Sequence, residues 1–125
     1  MNAERWDEAR EGRLSEAALR RKIEALGYIV SRYVFPRRTR FETHTHEVER
    51  IDAVLSGRLR VSFGARSFIL APGDYICVPA GAEHEAEVIG EENVILFDAI
   101  KVSSQTFQPR QETVLTRIRS RLRIP

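Results

Sequence analysis

The fold of this chain is decided by the stretch PGDYICVPAGAEHEAEVI, residues 72–89. A turn signal at 72–74 precedes β-branched and aromatic residues from 75 to 78, and a second turn signal at 79–81 stops them. Residues 86–89 then have the composition of the next strand. Short strands separated by such turn residues predict an antiparallel sandwich or barrel.

The same succession of strands and turns continues on both sides of this stretch. The other segments with strand composition are Tyr28–Phe35, Ile51–Leu55, Leu59–Phe63, Phe68–Leu70 and Val94–Ile100. One helix precedes them, because Ser15 is a suitable N-cap. Leu19, Ile23 and Leu26 then recur on a single helical face. We therefore predict an all-β chain, a single antiparallel β-barrel with a short N-terminal helix at 16–26.

The length and composition are those of one soluble domain. The 125 residues are 42% hydrophobic and 30% charged, and we divide them into a helical extension at 1–27, a barrel at 28–103 and a basic tail at 104–125. The sequence shows no apolar segment typical of a signal peptide, and no apolar run approaches the ~20 residues of a membrane span. We therefore expect a cytoplasmic protein with no membrane partner. Because Cys77 is the single cysteine, an internal disulfide is excluded, and we expect a small buried apolar role for it.

The basic residues are concentrated near the end of the chain. Residues 107–125 carry five arginines and one glutamate, a net charge of +4, so residues 1–106 carry −2 of the total of +2. Arginines alternate there with apolar residues, which fits a strand, but Val114, Ile118 and Leu122 also fit a helix, and both alternatives stay open. No aromatic platform accompanies the arginines, so we expect no nucleic-acid partner. We expect this segment to be solvated or to pair between the subunits of a homodimer.

The chain contains three histidines, and their spacing is typical of a metal site. His44 and His46 lie two residues apart, so in an extended strand they point to the same face. His84 follows the turn at 79–81, and an antiparallel barrel can bring it beside the first pair. Three imidazoles suit one divalent transition metal ion, namely Fe, Zn, Ni, Mn or Cu, and leave positions open for a substrate.

The spacing of these residues resembles the two signature motifs of the cupin superfamily. The matching positions are His44-x-His46 followed by Gly57, and then Gly73-(x5)-Pro79-x-Gly81-x-x-His84. Three positions depart from the pattern: Arg38 stands at the first glycine, Arg50 at the usual metal-binding glutamate, and Val88 where asparagine is frequent. The resemblance implies a small cupin or jelly-roll barrel, usually a homodimer, with His44, His46 and His84 as metal ligands.

Arg50 alters the chemistry expected of such a site, because a guanidinium stays protonated and has no lone pair for a metal. A fourth ligand would come from Asp52, which shares strand parity with the histidines, or from Glu49 after a register shift; otherwise there is no carboxylate. In that last case the site resembles the three-histidine variant of some cupin thiol and diketone dioxygenases. Arg50 would then suit a substrate carboxylate, and the alternative is an internal salt bridge to Asp52 or Glu49. Arg50 and Tyr75 are the catalytic candidates.

The function expected from these residues is that of a metal-binding small cupin, a metalloenzyme with oxygenase-like or Lewis-acid chemistry, such as a mononuclear-metal dioxygenase or isomerase. Its substrate would be a small, anionic molecule. One alternative is a non-enzymatic ligand-binding or sensor barrel, which the substitution at Arg50 favours. Another is a metal-independent isomerase or epimerase in which a histidine acts as the base. The sequence leaves the choice among these open.

Overall fold

The computed structural model describes residues 1–102, which form two helices and eight strands. The helices are α1 (Glu8–Glu11) and α2 (Glu16–Ala25). The strands are β1 (Tyr28–Phe35), β2 (Arg40–His44), β3 (Arg50–Ser56), β4 (Arg58–Phe63), β5 (Arg66–Leu70), β6 (Tyr75–Val78), β7 (His84–Ile89) and β8 (Val94–Lys101). The predictions made for the basic tail, as a strand or a helix that pairs between subunits, lie outside the described residues.

The strands form two antiparallel sheets of four strands each. The first sheet has the order β1-β8-β3-β6, and the second has the order β2-β7-β4-β5. The inward side chains of both sheets make one apolar core, whose fully buried members include Val54, Val61 and Ile76. The all-β class predicted from the sequence is therefore confirmed. No helix among residues 1–102 is long and apolar enough to cross a membrane.

The predicted helix is α2, and it ends one residue earlier than expected. The Ser15 side chain accepts a hydrogen bond from the Ala18 backbone N–H, which satisfies one free donor of the first turn. Leu19 and Ile23 are fully buried against the outer face of the first sheet, in a cluster with Phe97. Burial of each such side chain stabilises the fold by about 1.5–3 kcal/mol, and α2 thereby covers one face of the first sheet.

The chain changes sheets between the first two histidines. β2 ends at His44 in the second sheet, and β3 begins at Arg50 in the first. The expectation that His44 and His46 share one face of a single strand was therefore wrong, because His46 lies in the connection between the two strands. A bulge between Phe41 and His44 also breaks the strand register. Parity with His44 consequently carries no information about Asp52.

Cys77 is exposed, so the expectation of a buried residue was wrong. β6 lies at the edge of the first sheet, and its inward positions are taken by Ile76 and Val78, both fully buried. Side chains alternate along a strand, so Tyr75 and Cys77 face outward.

Four motif positions have a left-handed backbone: Arg38, Gly57, Gly73 and Gly81. Gly57 has φ of 82°, and a Cβ built on it would lie 2.3 Å from the Asn93 carbonyl oxygen, so this turn requires glycine. Arg38 has φ of 69° and is the one non-glycine residue with positive φ among residues 1–102. The first motif glycine therefore answers a conformational requirement, which this chain meets with an arginine at an energetic cost.

Candidate metal centre

The three histidines come together at one end of the space between the sheets. Each offers a ring nitrogen, and these three atoms lie within 4.8 Å of one another. His46 and His84 are 3% exposed, whereas His44 is partly exposed. The imidazole rings lie 4.3–5.0 Å apart between centroids, with His44 closest to His84. The predicted histidine cluster is thus present as a group, although the three residues reach it from different elements.

The two motif segments position these rings. His44 at the end of β2 lies directly opposite His84 at the start of β7 in the strand register. His46 is held from the other side, because the Gly81 backbone N–H donates to the His46 carbonyl oxygen over 2.9 Å. The turn at Gly81, before His84, is therefore hydrogen-bonded to the β2–β3 connection that contains His46.

The hydrogen bonds of two rings fix the tautomer that ligates a metal. His44 Nδ1 lies 2.5 Å from the Glu42 carbonyl oxygen, and His84 Nδ1 lies 2.9 Å from the Ala82 carbonyl oxygen. A carbonyl oxygen only accepts, so each Nδ1 carries the proton and each Nε2 keeps its lone pair. Burial also lowers the pKa of His84 to about 4, so its ring is neutral at pH 7. This donor set fits a divalent transition metal ion.

A cavity of about 20 Å³ adjoins the histidines. Its lining consists of the three imidazoles, one carboxylate and an apolar wall: Phe35, Phe41, His44, His46, Asp52, Leu59, His84, Ala86 and Leu96. Asp52 therefore faces the same space as the histidines, although no carboxylate joins their cluster among the described residues. Glu49, the other proposed carboxylate ligand, instead accepts a hydrogen bond from the Tyr28 hydroxyl. The clustered donor set is three imidazole nitrogens.

Arg50 is fully buried and paired with Asp98, which is 1% exposed. Its Nε–H donates to Asp98 Oδ1 over 2.7 Å, and Nη2 contacts Asp98 Oδ2. A salt bridge was one expectation for Arg50, but the predicted partners, Asp52 and Glu49, were wrong. Asp98 lies opposite Asp52 in the β3–β8 register, so two carboxyls and one guanidinium meet inside the barrel.

Burial raises the pKa of both carboxyls in this group. The pKa of Asp98 rises to about 7 because desolvation outweighs the attraction of Arg50, and the pKa of Asp52 also rises through burial. Two carboxyls beside one cation therefore tend to retain a proton near neutral pH. Asp98 was missed from the sequence, although an acidic residue within the apolar segment VILFDAI was a visible signal.

The structure does not bring Tyr75 to the histidines. The Lys22 ammonium lies 5.5 Å from the Tyr75 ring centroid, and Tyr75 packs on the cluster formed by α2 and the outer face of the first sheet. This second catalytic candidate therefore lies outside the histidine cavity.

A larger concavity, of about 360 Å³, lies on the second sheet and shares Phe41 and Ala86 with the lining of the histidine cavity. It is lined mainly by polar groups, among them Arg40, Arg60, Ser62, Glu85 and Glu87. Arg60 and Glu87 pair there over 3.0 Å and are both partly exposed. Such a surface pair contributes little, ~0–1 kcal/mol, and this concavity holds no cluster of metal-ligating groups.

Comparisons with known proteins agree with this architecture. The chain is similar to a cupin superfamily protein of Desulfitobacterium hafniense, with 18% identity over 59% of this chain and 66% of that one and a TM-score of 0.53. It is similar to KdgF of a Halomonas species, with 20% identity over 65% of this chain and 74% of that one and a TM-score of 0.53. It is also similar to an oxalate decarboxylase, with 23% identity over 60% of this chain and 22% of that one and a TM-score of 0.53.

These likenesses are at low sequence identity and show a shared fold. No curated protein matches the sequence. The family profile described as a cupin domain matches residues 31–100, which include both histidine motifs. With more than half of its length matched, the chain belongs to the cupin family.

Proposed function

We propose that this cupin binds one divalent transition metal ion through His44, His46 and His84 and acts on a small, anionic molecule. The observation that carries the proposal is the convergence of three ring nitrogens within 4.8 Å. The hydrogen bonds from Nδ1 of His44 and His84 support it, because they leave Nε2 free on both rings.

A metal held by three protein ligands keeps open coordination positions and supplies Lewis-acid or oxygen-activating chemistry when bound. The chain's own residues shape the space beside those positions. Phe35, Leu59 and Leu96 give it an apolar wall that excludes water. Asp52 adds a carboxyl to the same lining, where a proton can be held or accepted.

The charge of the site supports an anionic ligand. Three neutral imidazoles do not offset the charge of a divalent ion, and Asp52 and Asp98 already share the charge of Arg50. Unbalanced charge in a buried site is unfavourable. A negatively charged small molecule would restore the balance.

Metal analysis of untagged protein tests the proposal. We expect close to one equivalent of a transition metal in the wild type and a loss of most of it in His84→Ala. Cys77→Ser is the matched control, because it removes the exposed thiol as a competing ligand and should leave the metal content unchanged. A wild-type content near zero, unchanged by His84→Ala, would refute metal binding.

Catalysis is measured separately, by oxygen consumption of the iron-loaded protein with thiols, diketones and small acids. Reproducible turnover that is lost in His84→Ala supports an enzyme. Saturable binding of a small acid without turnover supports the sensor alternative.

A further inference from the structure

The buried guanidinium of Arg50 has donors that the barrel leaves unused. One edge, Nε and Nη2, is taken by Asp98. Nη1 is buried and has no hydrogen-bond partner among residues 1–102. A guanidinium carries five N–H groups and never accepts. In the Arg50–Asp98 pair, the charge of Asp98 offsets that of Arg50. The N–H groups of Arg50 Nη1 nevertheless remain without an acceptor among the described residues.

The strand register relates this head group to the histidine cavity through Asp52, although Arg50 itself is not part of the cavity lining. The backbone of Arg50 lies opposite Ile100, but its guanidinium reaches Asp98, which lies opposite Asp52. The head group is therefore displaced along the strands to the level of Asp52, a residue of the cavity lining.

The size and lining of the cavity limit what can accept these N–H groups. At about 20 Å³, the cavity is small, so it admits only the head of a ligand. A buried donor without an acceptor is unfavourable, and a charge-assisted contact to an anionic oxygen is stronger than one to a neutral group. A carboxylate head is small, anionic and rich in acceptor lone pairs.

We propose that Arg50 Nη1 is the recognition group for a small carboxylate whose head enters the histidine cavity. Asp98 holds the Nε–Nη2 edge, so Arg50 presents Nη1 to the ligand. The inference rests on the proposed function in one respect, namely that the ligand and the metal share this cavity.

The test uses the full-length, metal-free, ¹⁵N-labelled protein and sodium formate as the probe. Arginine side-chain and backbone amide ¹H–¹⁵N signals are followed during titration, with sodium chloride at equal ionic strength as the reference anion. The backbone signals give the affinity in the variants that lack Arg50. Arg50→Met/Asp98→Leu removes both members of the pair, and apolar replacement of a buried pair is often tolerated. Arg50→Lys keeps the charge beside Asp98 but replaces the planar guanidinium by one ammonium nitrogen, so the donor at the Nη1 position is lost. Arg60→Met is the matched control on the surface.

We expect formate to shift the Arg50 signals saturably in the wild type and in Arg60→Met. Affinity should fall about tenfold or more in Arg50→Lys and in the double variant, as for loss of a charge-assisted hydrogen bond. Either variant suffices if the other fails to fold. Four results would overturn the proposal. They are no saturable shift, an affinity in the two Arg50 variants equal to that of the wild type, equal binding of chloride, and Arg50 signals that exchange with a buried water only.

Repeating the titration after addition of zinc separates this inference from the proposed function. If zinc does not bind but formate binding depends on Arg50, the metal function fails and the carboxylate site stands. If zinc binds and formate binds independently of Arg50, the metal function stands and the carboxylate site fails.

Discussion

Replacement of Arg50 by methionine should destabilise the protein strongly at pH 7 and much less at pH 5. The substitution leaves Asp98, which is 1% exposed, without its cationic partner. An isolated buried carboxylate is so unfavourable that the group binds a proton instead. The cost of the substitution is therefore set mainly by the cost of protonating that carboxyl.

The magnitude follows from the ordinary pKa of aspartate, about 3.9, and from ~1.4 kcal/mol per pH unit. In the wild type, Asp52 and Asp98 already retain one proton between them near pH 7. Loss of Arg50 therefore adds the cost of a second proton, about 4 kcal/mol at pH 7 and about 1.5 kcal/mol at pH 5. The sign follows because the pKa of this carboxyl is higher in the folded than in the unfolded protein. The destabilisation is smallest below the unfolded pKa and grows as the pH rises.

Urea unfolding of the metal-free protein at both pH values, followed by far-UV circular dichroism, measures this difference. Arg50→Met/Asp98→Leu is the control, because it removes the stranded carboxyl and should cost little at either pH. The reasoning is refuted if Arg50→Met costs the same free energy of unfolding at pH 5 as at pH 7. It is also refuted if the double variant is as unstable as the single one.

Four further outcomes follow from the same structure. Arg38→Gly should raise the free energy of unfolding by about 1 kcal/mol in urea titrations, because φ is 69° there; Arg37→Gly, at a neighbouring position without positive φ, should give no gain. Gly57→Ala should lower the free energy of unfolding by more than about 2 kcal/mol, since its Cβ would lie 2.3 Å from a carbonyl oxygen; a smaller loss contradicts the tight turn. Between pH 6.5 and 4, the free energy of unfolding of the metal-free wild type should fall by up to about 3 kcal/mol through His84. The reason is that the unfolded chain binds a proton that the folded ring, with its pKa of about 4, does not bind. His84→Asn should lack this fall in pH-dependent urea titrations. Sedimentation velocity should show a homodimer for the full chain and a monomer after removal of residues 107–125, whose charge of +4 complements the −2 of the rest; unchanged sedimentation argues against pairing through this segment.

The sequence predicted those features that depend on local pattern. Turn residues and alternation placed most of the strands, and the N-cap at Ser15 with the stripe through Leu19 and Ile23 placed the helix. The spacing of His44, His46 and His84 identified the cluster, because it matches a motif in which the residues at these positions lie together. It did not identify the geometry, since the chain crosses between sheets after His44.

Features that depend on pairing between distant strands could not be read in the same way. The partner of Arg50 is set by the β3–β8 register, which joins residues 48 positions apart in sequence. The direction in which the Tyr75 and Cys77 side chains point depends on which face of β6 packs on the core. That face is set by the sheet that β6 joins. Alternation alone says that two side chains share a face but not which face is buried.

The two arginines that depart from the cupin motifs differ in their physical consequences. Arg38 is exposed, and it costs stability only through its left-handed backbone. Its side chain has no role in the core that would require an arginine at this position. Arg50 is fully buried and matched by an aspartate on another strand, so its charge is built into the core at two positions. An apolar pair would avoid the cost of burying both charges. Asp98 holds one edge of the Arg50 guanidinium, and Nη1 has no hydrogen-bond partner among residues 1–102. Binding of a ligand explains this arrangement better than a contribution to the stability of the fold.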